Sequence, residues 1–149
     1  MRVRGSIRGS REARETLQML RLTRNNYAVL IDDSKSFLGM LKQAQNFITW
    51  GEPTEEIVHT LIHKKGKLVG NKRLTDEYSQ TIGFKSLQEF AEAIFNCSTQ
   101  YWKLANVQPV FRLHPPSKGF KGKIKKSYSM GGELGYRGQK INDLLKRMV

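Results

Sequence analysis

The charge of this 149-residue chain is divided by position, and that division limits where a core can form. Residues 1–25 carry seven Arg against two Glu, residues 26–102 are close to neutral, and residues 103–149 carry eleven Lys or Arg against two acids. Burying an unpaired charge is costly, so a packed interior has to come mainly from the middle of the chain. The segment that resists a core most is Phe111–Gly138, FRLHPPSKGFKGKIKKSYSMGGELGYRG, rich in Gly and Pro and holding one acid, Glu133. Phe120, Tyr128 and Tyr136 are spaced among its cations, which a plain flexible linker does not require. The expectation is a segment that is mobile on its own and held by a folded polyanion. Charge neutralisation and counterion release would then offset the cost of ordering it.

The apolar pattern of the remainder switches between the strand and helix periods. Val3, Gly5 and Ile7 alternate with Arg2, Arg4, Ser6 and Arg8, the pattern of a strand with an arginine face outward. Ala13, Leu17 and Leu20 predict an amphipathic helix over Arg11–Leu22. Tyr27–Ile31 reads as a buried strand, Ser34 as the N-cap of a helix carrying Phe37, Met40, Leu41 and Ala44, and Phe47–Trp50 as a third strand. A third helix opens after Pro53 with Glu55 and Glu56 at the positive end of its dipole, and Ile57, Val58, Leu61 and Ile62 form its stripe. GKLVGNKR predicts a tight hairpin or an extended loop, Asp76-Glu77 a helix start, and Ser86 with Glu89 a capping box for a helix burying Leu87, Phe90, Ala91 and Ile94. Val110–Leu113 reads as a short strand, and Ile141, Leu144, Leu145 and Met148 mark a terminal helix. Three regions follow: a β-α-β-α-β core over 1–52, a helical extension over 53–106, and a strand, basic glycine-rich loop and terminal helix over 107–149.

A net charge of +13 points to a polyanionic partner. The single cysteine, Cys97, allows no internal disulfide and reads as a small core residue; reducing surroundings fit. The N-terminal residues carry no apolar signal-peptide stretch, and no apolar run is long enough for a membrane helix. His59 and His63 lie four apart, a chelating spacing, but no further ligand is placed to complete a metal site. GELG at Gly132–Gly135 lacks the strand and helix context of a dinucleotide fingerprint, and GFKGKIKKS lacks phosphate-loop spacing. No paired carboxylates and no Ser-His-Asp arrangement stand out. The expectation is a protein without catalysis, cofactor, metal or small-molecule substrate.

The basic ends are the candidate binding residues. Arg2, Arg4 and Arg8 share a strand face, Arg21 and Arg24 follow the first helix beside Asn25, and Arg112 and His114 share a face of the late strand. Lys118, Lys121, Lys123, Lys125, Lys126, Arg137 and Lys140 lie in or beside the glycine-rich segment. Arginine forks and lysine ammonium groups suit phosphate oxygens, and aromatics such as Tyr128 can stack on exposed bases. If the two ends meet in space, they form one basic face.

Six stretches also carry a resemblance. TLQMLRLTRNN at Thr16–Asn26, LGMLKQ at Leu38–Gln43, ITWGEP at Ile48–Pro53, RLTDEY at Arg73–Tyr78, and the C-terminal FRLHPPSKGF and GGELGYRGQKINDLLKRM resemble the large-subunit ribosomal protein family called L-thirty in bacteria and archaea and L-seven in eukaryotes. The likeness runs over nearly the whole chain and is archaeal in type, since the bacterial form ends near the third strand. It implies a ferredoxin-like β-α-β-α-β core with a three-stranded antiparallel sheet and helices on one face. It also implies a structural role in the large ribosomal subunit of the cytoplasm, with large-subunit rRNA, 5S rRNA nearby and neighbouring ribosomal proteins as partners. Carried over by motif, rRNA contacts come from Arg8 and Arg11, from Arg21, Arg24 and Asn25, and from Lys42. Leu38 stands where many members have a basic residue. Two rival readings remain at this point: a free RNA-binding module, such as a chaperone or processing factor, and an enzyme on the same scaffold.

Overall fold

A computed structural model describes residues 1–7 and 9–149. Two apolar clusters organise them. The smaller is built by Ala13, Leu17, Leu20, Leu22, Leu41, Ala44, Phe47 and Ile48. Helices α1 (Arg11–Met19) and α2 (Lys35–Gln43) supply most of it. Each helix starts where a serine caps it: Ser10 Oγ accepts from the Ala13 N–H and Ser34 Oγ from the Phe37 N–H, satisfying donors that the first turn leaves unpaired. The larger cluster gathers α3 (Glu55–Lys65), α5 (Leu87–Phe95) and α6 (Ile141–Lys146) around Phe90, Tyr101 and Phe111. Ser86 caps α5 through the Glu89 N–H, while the Glu89 carboxylate accepts from the Lys85 N–H. Helix α4 (Asp76–Ile82) begins at the expected acidic pair, and Asp76 Oδ1 accepts from the Leu87 N–H. Of the two forms expected for residues 66–73, the hairpin is the one present: Lys67 bridges Arg73, and Gly70 and Asn71 turn with φ of +87° and +65°.

The sheet differs from the expected three-stranded antiparallel arrangement. Strand β1 (Tyr27–Ala28) pairs antiparallel with β3 (Phe111–Arg112), while β5 (Gly132–Tyr136) lies between β2 (Thr49–Trp50) and β4 (Lys123–Ser127), parallel to both. The fold is mixed α/β. Residues 1–3 run between the β1 and β2 segments, with the Arg2 N–H donating to Tyr27 O and the Thr49 N–H to Met1 O. They make a single antiparallel bridge, Arg2 to Ile48, because a turn closed by the Gly9 N–H on Ser6 O takes the chain away. The expected alternation fails on both sides of Val3: Val3 is buried, but Arg2 before it is buried too and Ile7 after it is 93% exposed.

Two further expectations are corrected. Cys97 is exposed, not a core residue, and sits just past α5 with φ of +56°. The glycine-rich segment does contribute to the core. Leu134 belongs to the larger cluster, Phe120 packs against it, and β5 is the central strand of its sheet. Gly132 has to be glycine there, since a Cβ would run into the backbone carbonyl of Lys126 on β4.

Candidate nucleic-acid interface

The β1–β3 pairing brings the two basic ends together. Tyr27 is opposite Arg112, and the Leu113 N–H donates to Asn26 O. Arg21 and Arg112 line one shallow hollow with Gln18, Thr23, Tyr27 and Gln108. Arg21, Arg24, Asn25, Arg112 and His114 are all exposed. Arg21 owes its position to the end of α1. Its φ is +58°, the Leu22 N–H donates to Leu17 O and the Arg21 N–H to Gln18 O. This is a Schellman closure with arginine where glycine is usual, sealed by Leu17 and Leu22 in the smaller cluster. Lys118 repeats the feature with φ of +64° beside Gly119. Both put a long cation at a backbone position that disfavours side chains, a cost that points to use of the charge.

The lysine arm is the second part. All five residues of β4 are exposed, and Lys118, Lys121, Lys123, Lys125 and Lys126 have no ion-pair partner among the described residues. The arm is anchored at its base. Arg147 Nη1 donates to Ser117 O and Gly119 O, and the Gly122 N–H donates to Glu133 Oε1 at 2.7 Å. Lys140 is exposed at the start of α6.

Two of the expected binding cations are turned inward. Arg2 is 8% exposed and donates to the carbonyls of Arg4, Leu22 and Thr23 and to Ser6 Oγ. It fastens the N-terminal segment to the loop after α1. Arg137 is also 8% exposed. It donates to Glu133 Oε2 at 2.6 Å, to Glu133 O and to Thr49 Oγ1, and its guanidinium lies 4.8 Å from the Tyr128 ring centre. Neither guanidinium faces solvent, so both leave the set of phosphate ligands, and Tyr128 is engaged on one face. Burial pushes the Glu133 carboxyl up, but its hydrogen bonds to Arg137 and the Gly122 N–H, with the charges of Arg137 and Arg147, hold it below the ordinary value. A lone acid four residues before an arginine in a basic segment was the available signal for this pair.

The remaining expected residues scatter. Arg4 stands 5.7 Å from the Phe47 ring centre, half-buried. Arg11 is exposed and pairs with Glu15 at 2.7 Å, a surface bridge of little strength that leaves the cation available. Arg8 lies outside the described residues. Lys42 sits apart from the rest, on the rim of an apolar cleft. Tyr27 and Gln108 were missed by sequence reasoning, because the long-range β1–β3 pairing brings them into one hollow with Arg21 and Arg112; Gln18, on α1 one turn before Arg21, was missed because it carries no charge to mark it.

Rings of His59 and His63 stack at 6.0 Å, and among the described residues no three His, Cys, Asp or Glu side chains gather as a metal site would. No described helix is long and apolar enough to cross a membrane.

Comparison with known proteins identifies relatives of the chain. The family model "Ribosomal protein L30p/L7e" matches residues 1–48. Beyond that segment the similarity continues. The chain is 44% identical to "Large ribosomal subunit protein uL30" of Methanopyrus kandleri, over 99% of this chain and 100% of that protein. It is 43% identical to the proteins of the same name from Thermofilum pendens and Methanobrevibacter smithii, over 100% of this chain and 96% and 97% of theirs.

Proposed function

The chain belongs to the ribosomal protein L30p/L7e family, and from that premise we propose that it is a structural, non-catalytic constituent of the large ribosomal subunit whose exposed cations bind large-subunit rRNA. The observation that carries the reading is the junction of the basic ends: residues far apart in sequence, Arg21 and Arg112, line one hollow, with Arg24, Asn25 and His114 beside it in sequence. Phosphates meet this patch and the lysines of the β4 arm, while Arg2 and Arg137 hold the scaffold beneath them. Its place of work is the cytoplasmic ribosome. The finer part of the proposal is that 5S rRNA lies close by; the family resemblance over the whole chain supports it. A free RNA chaperone is disfavoured, since the relatives similar over the full length carry the large-subunit name.

The test is a sucrose gradient of cell lysate with antibody detection of the chain, at low and at moderate salt. Stoichiometric sedimentation with the large subunit that survives the salt wash is the expected result. Recovery as free protein at the top of the gradient would overturn the ribosomal role.

A further inference from the structure

On a chain of net charge +13, one concave surface has the opposite sign. A cleft of about 940 Å³ runs between the two apolar clusters, bounded by the end of β1, by α2, by the start of α3 and by the residues after α5. Leu38, Trp50, Phe95 and Trp102 line it, with Leu38 and Phe95 among the exposed large apolar side chains. Asp32, Asp33, Glu52 and Glu55 also line it, against one cation, Lys42. The negative field is felt within it. The Tyr136 hydroxyl donates to Glu52 Oε1 at 2.7 Å and is pushed up by that bond first, then by burial and by the charges of Glu52 and Asp33. Asp32 Oδ1 is buried with no hydrogen-bond donor among the described residues.

A phosphate backbone is repelled by four carboxylates, so the cleft and the basic patch cannot serve the same partner. An apolar floor with an acidic rim matches an extended peptide that carries Lys or Arg beside apolar anchors. We propose that this cleft docks such a basic segment of a neighbouring protein of the subunit, so that the molecule joins RNA on one surface and protein on another. The proposal rests on the ribosomal reading for where the partner is met, and on charge complementarity for what the partner is.

The experiment places p-benzoylphenylalanine at Leu38 or at Phe95, with Val69, exposed outside the cleft, as control. Particles are purified by gradient, irradiated, and the crosslinked peptides mapped. Crosslinks from Leu38 and Phe95, but not Val69, to a Lys/Arg-rich segment of another protein are the expected result, with yield falling several-fold in the Asp33→Asn/Glu52→Gln variant. Crosslinks to rRNA, to a second copy of this chain, or none at all would overturn the proposal while leaving the gradient result intact. Should the chain not enter the subunit, the ribosomal reading fails by itself and the cleft is tested in purified protein. Trp50 and Trp102, the chain's two tryptophans, both line it and report directly. Lys-Lys-Leu-Phe-Lys-Lys should give a saturable fluorescence change that Glu-Glu-Leu-Phe-Glu-Glu does not; equal responses, or no response, would sink the idea.

Discussion

Two halves of one glycine-rich stretch behave in opposite ways. In Lys123–Ser127 every residue is exposed and the three lysines have no ion-pair partner among the described residues. A few positions on, Gly132, Glu133 and Leu134 are buried in the central strand of the sheet, and Arg137 is locked to Glu133 and Thr49. The halves are neighbours in one stretch but differ in role. What separates them is one acid and one leucine. Glu133 lets a cation be buried, and Leu134 gives the strand something to pack. A cation count thus overstates the charge open to a partner, because each basic end keeps one arginine as internal fastening.

The strongest way to break this contrast is to remove one member of the buried pair. Arg137→Ala leaves Glu133 buried without its partner and is expected to destabilise the fold by about 3–5 kcal/mol, read from the denaturant midpoint. The double replacement Glu133→Leu/Arg137→Met should recover most of that loss, since a well-packed apolar pair is often neutral. A cost under about 1 kcal/mol for Arg137→Ala would show that the pair is no latch. The pair also has a pH signature. Glu133 is held below the ordinary carboxyl value of 4.5 in the folded state, so the folded chain binds fewer protons than the unfolded one. Its contribution is fully present above the unfolded value and is lost as pH falls through the lower folded value. Acid titration of stability should show this loss in the parent chain and not in the double variant.

The next effect in size tests how closely the two halves pack. Gly132→Ala forces a methyl group against the Lys126 backbone, which cannot yield as a side-chain tip would. We expect a loss of about 1–3 kcal/mol in thermal unfolding. An unchanged melting temperature would mean that β4 is free to shift away from β5.

The helices were legible because their signals are local. Ser34 and Ser86 announce starts, and apolar stripes at three and four residues announce buried faces. The sheets were not. The strand that fills the β2 edge comes from a stretch whose composition argues against a core, and β1 finds its partner at Phe111–Arg112, far along the chain. Arg2 was read as outward from strict alternation. Its inward turn is decided by the Leu22 and Thr23 carbonyls, which no local pattern links to it. Patch residues such as Arg21 and Arg112 were legible singly, and their meeting was not.

On the exposed half the expectation reverses. Lys123→Ala/Lys125→Ala/Lys126→Ala should change stability by no more than about 0.5 kcal/mol, because these side chains are exposed, make no ion pair among the described residues, and keep the Cβ of Lys126 that lies beside Gly132. Binding to large-subunit rRNA fragments should lose about two to three units of log–log salt slope if each lysine meets a phosphate. A large stability loss with an unchanged slope would invert the comparison and make the arm scaffold.

The smallest effect is also the sharpest, because it sets stability against binding at one residue. Arg21 closes α1 in the left-handed region, with the Leu22 N–H on Leu17 O, a position where glycine carries no Cβ penalty. Arginine costs about 1–2 kcal/mol there relative to a strain-free residue, and glycine gives back part of that gain through its larger unfolded-state entropy. Arg21→Gly is therefore expected to leave the fold unchanged or stabilise it by up to about 1 kcal/mol, while lowering the salt slope of rRNA binding by about one unit. A structural arginine would do the reverse, with stability falling and the slope holding. Should both stay constant, Arg21 belongs to neither role, and the patch would have to be redrawn around Arg24, Arg112 and His114.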